Sequence, residues 1–245
     1  MKKLKSLIVL MLPITVVSCL KSDIVHEGCV DFTVSTDQFL TDVTKSNVSD
    51  FAALPVPEDF TIAVTNADGA KIWSGKSSEW DSATKIKVGE YTVEAVAGNL
   101  EEEGFGKPCF AGIRTFVVKD KETTDVEIPV SLANTVIKIT CTENLKNYYK
   151  DYSFRLERNN TEIVTFAKDE TRAAFIDGYK ITVTGVFTAE SGSEKAFSKE
   201  YTNLAPATAY NMIFDVAGTG SGAVEISFNN NVETVELGDV ELNDL

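Results

Sequence analysis

Histidine is nearly missing from this chain: among 245 residues there is one, His26, close to the N-terminus. Histidine triads, HExxH-type zinc sites and a histidine general base in the body of the protein are excluded by counting. Positive charge is also short. Twenty-three Lys and Arg stand against 37 Asp and Glu, a formal net charge of −14, so nucleic acid and anionic membrane surfaces are poor partners for it. Proline stops at 6 residues and glycine at 15, with 43% of residues apolar and 24% charged. That composition excludes collagen-like and disordered chains. Long apolar runs are missing too, which excludes a polytopic membrane protein. The longest, Leu7 to Val17, falls well short of the about 20 residues that cross a bilayer core.

That run has a different use. Lys2, Lys3 and Lys5 precede it, and Val16-Val17-Ser18-Cys19 ends it, the pattern of a cleaved export signal. The last four residues resemble a bacterial lipobox, in which the cysteine thiol is diacylated and cleavage falls just before it. Residues 1–18 are thus expected to be a lipoprotein signal, with Cys19 the lipidation site and the only membrane anchor; an amide-linked chain beside the diacylglycerol makes the anchor stable. Loss of three lysines takes the net charge from −14 to −17. Residues 19–28 read as a polar, lipidated tether. Lys21-Ser22-Asp23 faintly resembles the short acidic signals that send such lipoproteins to the cell exterior.

The rest of the chain alternates. Val30, Phe32 and Val34 take turns with Asp31, Thr33 and Ser35; Phe60, Ile62 and Val64 do the same before the turn Asn66-Ala67-Asp68-Gly69. Tyr91, Val93 and Ala95 form one strand face, and Val126, Ile128, Val130 and Leu132 another. A period of two predicts half-buried strands. Pro129 cannot donate to a ladder, so its strand is expected at an edge or with a bulge. The order recurs: Tyr152, Phe154 and Leu156 echo the Phe60 strand, and Asn159-Asn160 stands where Asp68-Gly69 stood. Tyr179 follows Tyr91 at an offset of 88, and Tyr210, Met212 and Phe214 follow Val126, Ile128 and Val130 at 84. A repeat near 90 residues predicts an all-β chain of two tandem Ig-like or transthyretin-like sandwiches, residues 29–133 and 134–245. Val224 to Phe228 and Val235 to Leu242 are expected to complete the second, and Glu143 to Lys150 is the single helical candidate.

Chemistry has few candidates. With Cys19 lipidated, Cys29, Cys109 and Cys141 remain, an odd count. Cys141 shares parity with Ile137 and Ile139 and reads as a small core residue. Cys29 and Cys109 are the pair available for a disulfide in an oxidising envelope, although Cys29 falls on a polar strand face and Cys109 in a loop. A metal site is not expected from these three, which lack CxxC spacing and a neighbouring histidine, and no cofactor is implied. Trp73 and Trp80 flank Ser74–Glu79; paired indoles on a sandwich loop can stack on sugar rings, or can pack on the core edge. Strand position favours packing for Trp73 and leaves Trp80 open. Glu101-Glu102-Glu103 lacks the D-x-D-x-D spacing of a calcium loop and reads as a solvated acidic loop. Asp81-Ser82-Ala83 matches a short O-glycosylation triplet that also arises by chance.

Several stretches resemble the Bacteroidota lipoproteins known as domain of unknown function 4493. They are Val88–Val93 (VGEYTV), Glu103–Pro108 (EGFGKP), Phe110–Gly112, Thr115–Val118 (TFVV), Leu132–Asn134, Tyr148–Tyr152 (YYKDY) and Tyr210–Phe214 (YNMIF). The resemblance implies a cell-envelope lipoprotein of gut-type bacteria, built of β-sandwich modules and without an assigned enzymatic activity. Cys109 is a departure, since the family usually carries a tyrosine after the Lys-Pro pair.

The function expected is that of a non-enzymatic outer-membrane lipoprotein, exposed at the cell surface, binding a glycan or an envelope or host protein through sandwich loops. One alternative is a fimbrillin-like adhesin or pilus accessory subunit. Stalk subunits of that kind are cut after an arginine near the N-terminus, and the first arginine here is Arg114, in mid-module. The other is a carbohydrate-active enzyme using two carboxylates.

Overall fold

The structure, a computed structural model, describes residues 25–40, 46–218, 223–228 and 231–239. The expected signal, Cys19 and most of the tether lie outside the described residues. More than half of the described residues are in strands. The first half contributes β1 (Glu27–Thr36), β2 (Thr61–Asn66), β3 (Lys71–Lys76), β4 (Ile86–Lys87), β5 (Gly89–Ala97), β6 (Gly104–Phe105), β7 (Phe110–Val118) and β8 (Thr123–Leu132). The second contributes β9 (Thr135–Cys141), β10 (Asp151–Arg158), β11 (Thr161–Phe166), β12 (Ala174–Ile176), β13 (Lys180–Thr188), β14 (Glu194–Thr202), β15 (Ala209–Val216), β16 (Ala223–Phe228), β17 (Asn231–Glu236) and β18 (Gly238–Asp239). The expected helix is present as α1 (Glu143–Tyr148). Thr142 caps it, its hydroxyl oxygen accepting the Leu145 amide.

In the first half the strands run β3-β2-β5-β7-β8-β1-β4. This single ladder is bent. β7 meets β8 only at Phe110↔Leu132 and Ala111↔Ser131, while β8 runs parallel to β1 over eight positions, Cys29↔Thr123 to Thr36↔Val130. Buried side chains from both arms, Ile62, Val64, Val93 and Phe116 on one and Val30, Val34, Ile128 and Val130 on the other, form one core. The bend needs Gly112, where an added Cβ would lie 2.1 Å from the Pro129 carbonyl oxygen. Pro129 fits the sequence expectation in a specific way. The Asp37 amide bonds to the Val130 carbonyl and the Cys29 amide to the Glu122 carbonyl, so even-numbered residues of β8 face β1. Pro129 therefore turns its missing N–H toward the side on which β7 has already left.

The second half repeats the scheme. β9 and β15 are parallel, as β1 and β8 are, and β11-β10-β13-β14-β18 forms the opposing sheet. Asn159 and Asn160, at φ 50° and 61°, turn β10 into β11, the double left-handed pair of a type I′ hairpin. Cross-strand partners correct the repeat alignment. Val64 faces Val93 and Leu156 faces Val183, so β5 and β13 correspond at an offset of 90, with Ile181 in the place of Tyr91. Tyr179 precedes β13 and is exposed. The segment expected as one final strand, Val235 to Leu242, is divided between β17 and β18 around Leu237; its last three residues lie outside the described residues.

The halves exchange parts. β6, from the first half, pairs with β12 at the edge of the sheet β17-β16-β15-β9-β12-β6. Next to it, Glu103 takes two bonds from the Arg158 guanidinium (2.8 and 2.9 Å) and one from the Asp177 amide (2.6 Å). The expected acidic loop is thus solvated at Glu101 and Glu102 but not at Glu103, whose side chain is 15% exposed. Asn134, fully buried, accepts the Cys109 amide on its side chain and the Ala207 amide on its carbonyl. One residue thereby holds a loop of each half.

Candidate functional site

Two places in the described structure carry candidate chemistry. The first is the corner closed by Trp73 and Trp80. Trp73 comes from β3, and Trp80 ends a 3-10 turn over Ser77–Glu79. Their rings meet edge to face at 5.2 Å, and Trp80 meets Phe32 of β1 at 5.0 Å in the same way. Phe32 in turn abuts Phe116 at 5.5 Å, and Phe116 stacks on Tyr91 at 5.8 Å. The Trp80 indole N–H donates to the Val30 carbonyl at 2.9 Å. Both indoles are half-buried and pack against the core, so each ring offers solvent only part of its surface. Asp81-Ser82-Ala83 follows as an exposed Asx turn, the Asp81 carboxylate accepting the Ala83 amide.

The second place was missed by the sequence reading. It is a cleft of about 240 Å³ that runs between β9 and the segment from Phe166 to Thr171. Along β9 the Val136 amide bonds to the Thr208 carbonyl and the Thr142 amide to that of Phe214, so even-numbered residues face β15. Odd-numbered residues face the other way, and there β12 pairs only as far as Ile137. Ile139 and Cys141 accordingly present N–H and C=O groups to the cleft with no partner strand among the described residues. Phe154 and Phe166 lie beneath as an apolar floor.

Polar groups ring this floor. The Tyr152 hydroxyl lies 3.5 Å from an Asp169 carboxylate oxygen, with the Cys141 thiol beside it. Burial, ahead of the neighbouring thiol and carboxylate, pushes the Tyr152 phenol above its ordinary range. The same burial pushes the Cys141 thiol up to about 12. A thiol so held is a proton-bearing wall of the cleft and not a nucleophile. On the far rim the Arg172 guanidinium and two backbone amides grip Glu170 and hold its carboxyl at about 2. Arg172 also lies 4.3 Å over the Phe105 ring, so β6 from the first half buttresses the rim. The signal that could have revealed the cleft is the shortness of β12, three residues against the seven of β9, which periodicity does not report.

The cysteines require a correction. Cys29, Cys109 and Cys141 are all free thiols, and the Cys29–Cys109 bridge is not formed. Cys29 sits level with Thr123, while Cys109 immediately precedes the Phe110↔Leu132 pair at the other end of β8. Nine residues of strand at about 3.3 Å each separate those positions, far beyond the about 7 Å between Cα atoms that a disulfide tolerates. Among the described residues no cluster of three His, Cys, Asp or Glu is placed to hold a metal, and no helix is long and apolar enough to cross a membrane.

The sequence model for a domain of unknown function, DUF4493, matches residues 26–243. The chain belongs to this family. Its EGFGKP stretch is the clamp around Glu103 and β6, and its VGEYTV stretch is the start of β5. Among curated proteins no relative matches. Solved structures with a related arrangement include a candidate polysaccharide-binding protein from Bacteroides thetaiotaomicron (12% identity, TM-score 0.47, 90% of this chain and all of that one). The fimbrial anchor protein Mfa2 from Porphyromonas gingivalis is another (8%, 0.44, 84% and 98%). A third is a fimbrial assembly protein from Parabacteroides distasonis (10%, 0.44, 86% and 99%). Identities and TM-scores this low carry no functional argument.

Proposed function

We propose that this DUF4493 protein is a non-enzymatic binding module of the outer membrane, displayed at the cell surface on acyl chains attached to Cys19 and acting in adhesion. The observation that carries the reading is the cleft along β9: backbone hydrogen-bonding groups with no partner strand among the described residues, above an aromatic floor, make a recognition surface, since main-chain groups give affinity and the pocket beneath gives selectivity. The lipobox at Val16–Cys19 supports the anchor. Only eight residues lead from Cys19 to Glu27, where β1 begins, at most roughly 27 Å of extended chain. The tether thus holds a strongly acidic body close to the bilayer without burying it.

Cys19→Ala is expected to leave the protein unacylated and to shed it from the membrane fraction. Radiolabelled palmitate entering the variant, or the variant staying membrane-bound, would remove the anchor from the proposal. The shed protein, applied to arrays of glycans and envelope proteins, is expected to be retained on at least one class. Retention on none, with turnover of a polysaccharide instead, would replace the binding reading by an enzymatic one.

A further inference from the structure

We infer that the cleft beside β9 takes an extended polypeptide segment of a partner protein, which adds to the open edge of β9 and carries carboxylates at its ends. The inference rests on the binding reading above and names the partner class for it.

Three observations lead to this occupant. The first is register. Ile139 and Cys141 offer N–H and C=O pairs two residues apart on the side where β12 stops at its pairing with Ile137. That spacing, about 6.6–6.8 Å, is the repeat with which a neighbouring strand presents its own donors and acceptors. Residues 171–173, which lead into β12, lie outside the ladder, so an incoming segment would lie between β9 and the stretch from Phe166 to Thr171 that forms the other side of the cleft. The second is the floor. Phe154 and Phe166 lie under the cleft, and side chains at every second position of an added strand point down toward them. The third is charge. In a protein with a net charge of −14, this rim is locally basic. Lys138 lines the cleft and forms no ion pair among the described residues. Lys168 stands over the Tyr152 ring at 5.6 Å, donates to the Lys150 carbonyl and forms no ion pair among the described residues. Of the carboxylates near the rim, Glu170 is already held by Arg172 and Glu143 by Lys146, so that in the cleft lining Asp169 is set against two lysines that form no ion pair among the described residues. A segment with acidic ends is steered to that rim, whereas a basic one is repelled.

The probe is an octapeptide with valine at alternate positions and aspartate at both ends, titrated onto the lipidated protein in detergent. Saturable binding is expected. Lys138→Glu is expected to weaken it at least tenfold and to turn the preference toward the same peptide with lysine ends. Thr171→Trp, a substitution at an exposed position of the lining, is expected to fill the cleft and abolish binding while the melting temperature holds. N-methylation of the peptide at alternate amides should destroy binding in one register and spare it in the other. Absence of binding, indifference to N-methylation in both registers, or full binding by both protein variants overturns the inference. A glycan whose binding is lost in Thr171→Trp overturns it as well, yet leaves the protein a binding module; loss of every ligand on the arrays removes that broader reading too.

Discussion

Trp80 has two attachments, and each can be removed separately. Its ring edge-packs on Trp73 and Phe32, while its indole N–H satisfies the Val30 carbonyl. Trp80→Phe keeps most of the packing and leaves that carbonyl unpaired, which is expected to cost about 1–3 kcal/mol, or about 2–4 °C of melting temperature per kcal/mol in a chain of this size. A calorimetric scan checks it; an unchanged melting temperature would mean the bond contributes nothing. Cys141 offers a chemical test. Its thiol is held at about 12 against an ordinary 9.0, so the folded protein keeps a proton that the unfolded chain gives up. The stability this contributes is complete below pH 9 and is lost as the pH rises from 9 toward 12. Iodoacetamide at pH 8 is therefore expected to leave Cys141 unmodified until denaturant is added, as peptide mass spectrometry can show. The identities of both residues were plain in the sequence. Their partners were not, because the Val30 carbonyl lies 50 residues from Trp80 and Asp169 lies 28 from Cys141.

For single elements, alternation was a reliable guide and pairing was not. Ile62, Val64, Val93, Val126, Ile128, Phe154, Leu156, Met212 and Phe214 are all buried, as a period of two requires. What alternation leaves open is any shift by two residues, since such a shift preserves parity. That is why Tyr179 fell opposite Tyr91 at an offset of 88, while the ladder sets Ile181 there. The glycines of the first and second halves also carry different loads. Gly185 lies under the Phe197 ring, 2.3 Å from where its Cβ would stand, and Gly112 lies against the Pro129 carbonyl where β7 and β8 part. Gly112→Ala meets backbone, which cannot swing aside as a side chain can. It is expected to destabilise the protein by about 1–3 kcal/mol or more, measurable as a lower urea midpoint at unchanged m. Sequence offers no warning there, since a glycine within an alternating run marks many kinds of close approach.

The division of the whole molecule at Asn134 is a proposal that a fragment can test. Two clusters of buried residues exist, one mainly from each half, yet the boundary is crossed by β6, by the Glu103–Arg158 pair and by Phe175, which packs with the first cluster. Residues 134–245 alone are expected to unfold cooperatively with a strand-dominated spectrum, and at lower temperature than the same half in the full chain. Lost with the first half are the β6–β12 pairing and the counter-ion of the half-buried Arg158. A molten or helical spectrum would remove independent folding from the account. The two-sandwich architecture was legible because the repeat is local in sequence. The clamp was not, because a Glu-Glu-Glu run looks alike whether its last member faces water or an arginine from 55 residues downstream.

The parallel pair β1 and β8 has a mechanical consequence. On the proposed anchorage through Cys19 and a partner bound by the second half, the anchor would pull on the start of β1 and the partner on the chain leaving the end of β8. In a parallel pair those two points lie at opposite ends, so tension runs along the strands and loads the bonds of all eight paired positions, Cys29↔Thr123 to Thr36↔Val130, together. An antiparallel pair joined through a neighbouring turn would instead peel open one bond after another. A cell held against flow by this protein would therefore strain its first sandwich in shear, the direction in which a ladder resists rupture best.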